Sequence, residues 1–240
     1  MMGHVKRIST VALLCVLSTP AAVAQSETGP SWVEIRQITV RGDCMDEWRE
    51  AQRDGVNPAL QAAGVTGRSA FRDLFGNTAR YTFVSPIPDF AQYEQQQGRV
   101  QIPSSAGEVL GRCTESRSVG AWRLERDLSN VTTQPSDFVV VTTQRLAPGA
   151  DEAWRALIRS NVLPAAQEAS TNFWVFQSLL DGPVGFVTVA GLNSLSAVDD
   201  GPFFLQGLGQ EAAASLARRR QALQLHVERY LQRRDPELSF

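Results

Sequence analysis

Apolar and polar positions recur along this chain with two periods. From Trp32 to Val40 the run WVEIRQITV is rich in β-branched residues with frequent alternation, which predicts a strand. From Met45 to about Ala63 the spacing changes to that of a helix. The counterpart of this stretch carries Trp154, Leu157, Ile158, Val162, Ala165 and Ala169, one apolar stripe at the 3.6-residue period. Pro58 and Pro164 fall inside these two predicted helices. Each removes a backbone donor and is expected to bend its helix over a curved sheet. Hairpins follow. Ser69 to Phe75 turns at Gly76-Asn77 and returns through Arg80 to Ser85. Trp174 to Leu180 turns at Asp181-Gly182 and returns through Phe186 to Ala190. Both dipeptides accept the positive φ of tight hairpin turns.

The two sets of elements are two copies of one pattern. WREAQRDGVNPALQAAG, from Trp48, corresponds to WRALIRSNVLPAAQEAS, from Trp154, and the match extends outward on both sides. Phe71 aligns with Phe176, Leu74 with Leu179 and Val84 with Val189. Each copy adds a second helix and a last strand. In the first copy Ser105-Ala106-Gly107-Glu108 fits a capping box, and the strand is expected near Val119 to Arg126. In the second the helix is GQEAAASLARRRQALQLHV and the strand runs near Val227 to Arg234. The order βαββαβ, twice, predicts an α+β fold of two tandem ferredoxin-like units. Each antiparallel sheet carries helices on one face, so its other face needs a cover. The simplest cover is the other copy, closing the pair into one pseudo-two-fold barrel. Residues 25–129 form the first unit, 137–240 the second, and the polar stretch 130–136 links them.

Cysteine placement agrees with this topology. The first helix begins, and the second ends, at the same end of a unit, which brings Cys44 and Cys113 together as a disulfide. The opening MMGHVKRISTVALLCVLSTPAAVAQS has a basic start at Lys6-Arg7, a short apolar core and an Ala22-Val23-Ala24 cleavage signature. It predicts a signal peptide over 1–24 and an exported, periplasmic or secreted protein, where disulfides form. Of 23 Lys and Arg, Lys6 and Arg7 precede the cleavage, leaving 21 cations, all Arg, against 25 acidic residues. A mildly acidic surface argues against nucleic acid as a partner. Two cysteines without a nearby His make no zinc site.

The stretches EIRQITVRGDCMDEW and FVVVTTQRLAPGADEAW, with the strand–helix–hairpin order around them, resemble the dimeric α/β-barrel superfamily. That group includes antibiotic-biosynthesis monooxygenase-like and NIPSNAP-like domains and fused-repeat chlorite dismutase and dye-decolorising peroxidase relatives. The resemblance implies a small-molecule site in the lumen between the sheets or at its mouth, within a monomeric pseudo-dimer. Glu34, Arg36 and Ile38 share one face of the first strand. A charged pair is costly against packed helices, so this face is expected to look into the lumen, opposite Val140, Thr142 and Gln144. Otherwise Glu34 and Arg36 form a structural ion pair. Arg72, Gln177 and Trp174 are further ligand candidates. His226, expected near the end of the last helix, is the candidate haem ligand if the chain follows the haem-binding relatives; otherwise no cofactor is expected. Phe203 and Phe204 lie in a Gly-rich loop, as a lid or as anchors to the core. Arg218 to Arg220, and the pairs Arg49/Arg53 and Arg155/Arg159, are expected on solvated helix flanks. The readings that result are a lumenal small-molecule binder, a cofactor-independent monooxygenase-like enzyme, a haem protein, or a non-catalytic structural or interaction protein with a filled barrel.

Overall fold

The computed structural model describes residues 32–132, 135–178 and 185–240. The predicted signal peptide and the predicted Asp181-Gly182 turn lie outside these residues. The first half contains β1 (Trp32–Val40), β2 (Ser69–Asp73), β3 (Arg80–Ile87) and β4 (Thr114–Leu124). The second contains β5 (Phe138–Leu146), β6 (Phe173–Ser178), β7 (Gly185–Leu192) and β8 (Gln224–Arg234). All strand pairs are antiparallel and close into a barrel in the order β1-β3-β2-β8-β5-β7-β6-β4. Each half contributes four neighbouring strands, and the halves meet along two seams. At one, Phe71 to Asp73 of β2 face Gln232 to Arg234 of β8; at the other, Trp122 to Leu124 of β4 face Phe176 to Ser178 of β6. The tandem α+β barrel read from the repeat is thus the architecture of the molecule.

The repeated helix starts as α1 (Met45–Glu50), widens into a π-helical turn over Ala51–Val56 and continues as α2 (Asn57–Ala62). Its counterpart is α5 (Asp151–Leu157), a π segment at Ile158–Val162, and α6 (Leu163–Glu168). The expected proline effect is therefore a wide turn in both copies. Pro58 has no N–H for the carbonyl of Asp54, and its ring would crowd that carbonyl in a regular helix. Shifting the bonding to i→i+5 relieves the crowding within a continuous helix. Trp48 and Trp154, one turn earlier, are fully buried.

Three elements differ from the sequence reading. A helix, α3 (Phe90–Arg99), occupies the predicted loop after β3, with the Asp89 carboxylate accepting from the Gln92 backbone N–H. The capping box does not form: α4 (Ser104–Cys113) already includes Ser105 and Glu108, with Pro103 at the cap position. The helix α7 (Gln210–Ala222) ends before His226. β4 and β8 begin almost directly after their helices, so His226 belongs to a strand.

Cys44 and Cys113 are disulfide-bonded, with Cα atoms 5.7 Å apart, one at the start of α1 and the other at the end of α4. Side chains bury on three surfaces. Trp154, Leu157, Val175 and Phe186 fill the helix-covered side of the second half, and Ile38, Trp48, Tyr81 and Phe83 that of the first. Val33, Val139, Val141, Phe176 and Val187 meet between the sheets.

Candidate functional site

These cores fix which way each strand faces, and they reverse the expectation for β1 and β5. Val33, Ile35, Val139 and Val141 look into the lumen, so Glu34, Arg36, Val140, Thr142 and Gln144 look toward the helices. The helix-covered face tolerates this charge because it supplies partners for it. The Tyr93 hydroxyl, on the unforeseen helix α3, donates to the Glu34 carboxylate, and Arg36 pairs with Glu34 at 2.9 Å. Glu34 and Arg36 are thus the structural ion pair of the alternative reading. Nearby Arg68 is buried; its guanidinium lies 3.6 Å over the Phe83 ring and donates to Gln52 Oε1 (3.1 Å) and Asn57 Oδ1 (2.6 Å). Burial, reinforced by the charge of Arg36, pulls its pKa down to about 9.

The other candidates are equally tied down. Arg72 Nε donates to the Thr78 carbonyl. Gln144 accepts from the indole of Trp154 at 3.2 Å. Gln177 Oε1 accepts from Arg123 (3.0 Å) and Arg155 (2.8 Å) on the helix side. Trp174 alone of this set faces the lumen. The structure therefore does not bring the six together. Two of the predicted solvated arginines are also structural: Arg155 pairs with Glu125 at 2.6 Å, and Arg49 bonds to Tyr81, Asp235 and Glu237.

The asymmetry anticipated between the halves is real, but it lies on the helix-covered faces. In the register, Thr142 opposes Thr188 as Arg36 opposes Phe83. Where the first half packs Glu34, Arg36, Gln52, Arg68 and Phe83, the second has Val140, Thr142, Ile158, Phe173 and Thr188. The shorter and less charged set leaves a cavity of about 210 Å³ between the sheet and the helices. Its outer wall is the stretch from Ala197 to Phe204. Phe203 packs edge-on against Phe173 (5.7 Å) and against Phe204 (5.4 Å), so both phenylalanines anchor the loop as they wall the cavity.

Two cations reach this apolar space. Arg220 comes from α7, with its guanidinium 4.6 Å from the centre of the Phe204 ring; Arg229 comes from β8, opposite Thr142. Among the described residues neither has a carboxylate within ion-pair distance, and Arg220 Nε is buried without an acceptor. Burial, with Arg229 adding repulsion, lowers the Arg220 pKa to about 10, so it is still a cation near neutral pH. Among the described residues no Asp, Glu, His, Tyr or Cys lines the cavity. Arg220 was read as a solvated flank because a run of three arginines hides the one that turns inward. The usable signal was the comparison of copies, in which Glu34 and Arg36 align with Val140 and Thr142.

The lumen holds a second apolar cavity, of about 240 Å³. Haem does not fit the residues present. His226 is exposed on β8, 3.0 Å from Glu228, and lines neither cavity; among the described residues neither lining offers a His, Cys or Met to ligate iron. No group of three or more metal-ligating side chains occurs among the described residues.

No protein-family model matches the chain, and no curated protein matches it in sequence. Solved structures do match in fold. A proposed monooxygenase from Fusobacterium nucleatum superimposes with a TM-score of 0.62 at 12% identity, over 87% of this chain and 93% of that one. A chlorite dismutase variant from Candidatus Nitrospira defluvii gives 0.56 at 14%, over 88% and 94%. A haem-binding protein from Thermus thermophilus gives 0.51 at 10%, over 87% and 92%. At these identities the likeness is one of fold: the chain has the dimeric α/β-barrel architecture.

Proposed function

We propose that this is an exported small-molecule-binding protein whose ligand is an apolar molecule carrying one anionic group, held in the sheet–helix cavity of the second half. The observation that carries the reading is the pair of arginines without carboxylate partners, Arg220 and Arg229, at an otherwise apolar space. A guanidinium in such a place favours a planar carboxylate or a similar anion. The apolar body would bury against Ile158, Val162 and Phe173. The lining supplies no general base, so binding is favoured over catalysis. The fold neighbours, among them a proposed monooxygenase and a haem-binding protein, support small-molecule chemistry in this fold by analogy.

The test is calorimetric titration with octanoate and octanol. Octanoate is expected to bind and octanol to bind about tenfold or more weakly, with Arg220→Met removing the difference, as for loss of a hydrogen bond to a charged group. Equal binding of the two, or octanoate binding unchanged in Arg220→Met, would sink the reading.

A further inference from the structure

We infer that the barrel lumen is a separate ligand site, for a compact neutral molecule of roughly one aromatic ring that carries a single hydrogen-bond donor, with phenol as the simplest example. The lumenal cavity, of about 240 Å³, is walled by Ile35, Val84, Trp122, Val141, Phe176 and Val187. An apolar cavity of roughly 150 Å³ already admits benzene, so the space suffices. Of its polar lining residues, Gln37, Thr82, Ser118, Thr143 and Gln232, only Gln232 has a buried side-chain atom without a partner among the described residues. Gln232 is 1% exposed and lines the cavity. Its Nε2 donates to Asp73 Oδ1 at 2.7 Å and to Thr82 Oγ1 at 2.9 Å, while no donor among the described residues reaches its Oε1.

That arrangement leaves the amide no freedom to turn. Flipped, it would set its carbonyl oxygen against the Asp73 carboxylate, acceptor against acceptor. Asp73 is itself held by Arg80, whose Nε donates to it at 2.8 Å while the guanidinium stacks 3.8 Å over the Tyr230 ring. The acceptor is therefore fixed before a ligand arrives, and a buried acceptor left unmet is unfavourable. A guest with an O–H or N–H meets it. At Gln232 an anion would meet an acceptor instead of a donor, and a cation would be stripped of water with no free counter-charge, because Arg80 already neutralises Asp73. The specificity is thus opposite to that of the sheet–helix cavity. Entry is offered at β4: Ser118 and Gly120, which line the cavity, belong to a stretch whose only ladder partner among the described residues is β1.

The two sites can be separated because neighbours on β5 face opposite ways: Val141 enters the lumen and Thr142 the sheet–helix cavity. Phenol binding to the intact, disulfide-bonded protein is followed by tryptophan emission, since Trp122 and Trp174 face the lumen. Phenol is expected to quench saturably, and anisole, which keeps the oxygen but lacks the proton, to bind about tenfold more weakly. Val141→Phe should abolish phenol binding and leave octanoate binding intact, and Thr142→Phe should do the reverse. Gln232→Met should equalise phenol and anisole; the phenol-to-anisole ratio in the unaltered protein needs no variant to fold. Equal affinity for phenol and anisole overturns the inference. So does the absence of saturable phenol binding, the result expected if Gln232 Oε1 meets only water. Failure of octanoate alone would overturn the sheet–helix reading and leave this one standing.

Discussion

Glu34 shows how one unforeseen partner changes the meaning of a side chain. Its carboxylate accepts from the Tyr93 hydroxyl and pairs with Arg36, so charge that would be costly beside helices is met by two groups at once. Burial, then the bond to Glu34, pushes the Tyr93 pKa from 10.0 to about 12. The fold therefore favours the neutral phenol. Its stabilising contribution is complete below the unfolded value of 10.0 and is lost as pH rises through about 12. Burial and Glu228 raise Tyr230 as well, so a spectrophotometric titration should show late phenolate ionisation that loses one tyrosine's amplitude in Tyr93→Phe; an unchanged titration would contradict the contact. The phase of β1 was not legible in the sequence for the same reason. Alternation said that Glu34 and Arg36 share a face, but the choice of face depended on a hydroxyl 59 positions away.

The helices were legible to different degrees. The Trp-led repeat fixed α1, α2, α5 and α6, because Trp48 and Trp154 anchor the same apolar stripe in both copies. The polar run of α3 offered no comparable stripe, and its one clear sign was Asp89, placed to cap. The π turn in the first copy has a packing role as well. A Cβ on Gly55 would come within 2.5 Å of the Ala106 Cβ on α4, closer than two methyl-sized groups approach. Gly55→Ala is expected to destabilise the protein by about 1–3 kcal/mol through overpacking, and Ala106→Gly in the same chain should recover part of it. Urea melts of the single and double variants measure this. Independent, additive losses would show that the two elements do not press on each other.

For the whole molecule, the tandem order and the disulfide were the most legible features, because both follow from topology. The seams are short, three residue pairs each, so the lumenal core between the sheets carries much of the cohesion between the halves, while the disulfide braces the first half alone. Cys44–Cys113 closes a separation of 69 residues. In the chain-entropy account, replacing both cysteines with alanine should cost about 4 kcal/mol, read from equilibrium unfolding under oxidising conditions. A loss well under 1 kcal/mol would mean that the unfolded chain gains little freedom when the link is absent.

The shortness of one seam has a further consequence. β8 meets β2 only over its last residues, so from Gln224 to Tyr230 its ladder partner among the described residues is β5 alone. A bare strand margin carrying Leu225, which is 64% exposed, invites another chain to zip onto it. His226 and Glu228 interrupt that margin with polar side chains, acting as gatekeepers of solubility. Replacing both with threonine should shift the protein toward aggregates in sedimentation velocity while leaving the monomer's circular dichroism intact. A histidine that suggests a metal ligand would then have served to keep copies of the chain apart.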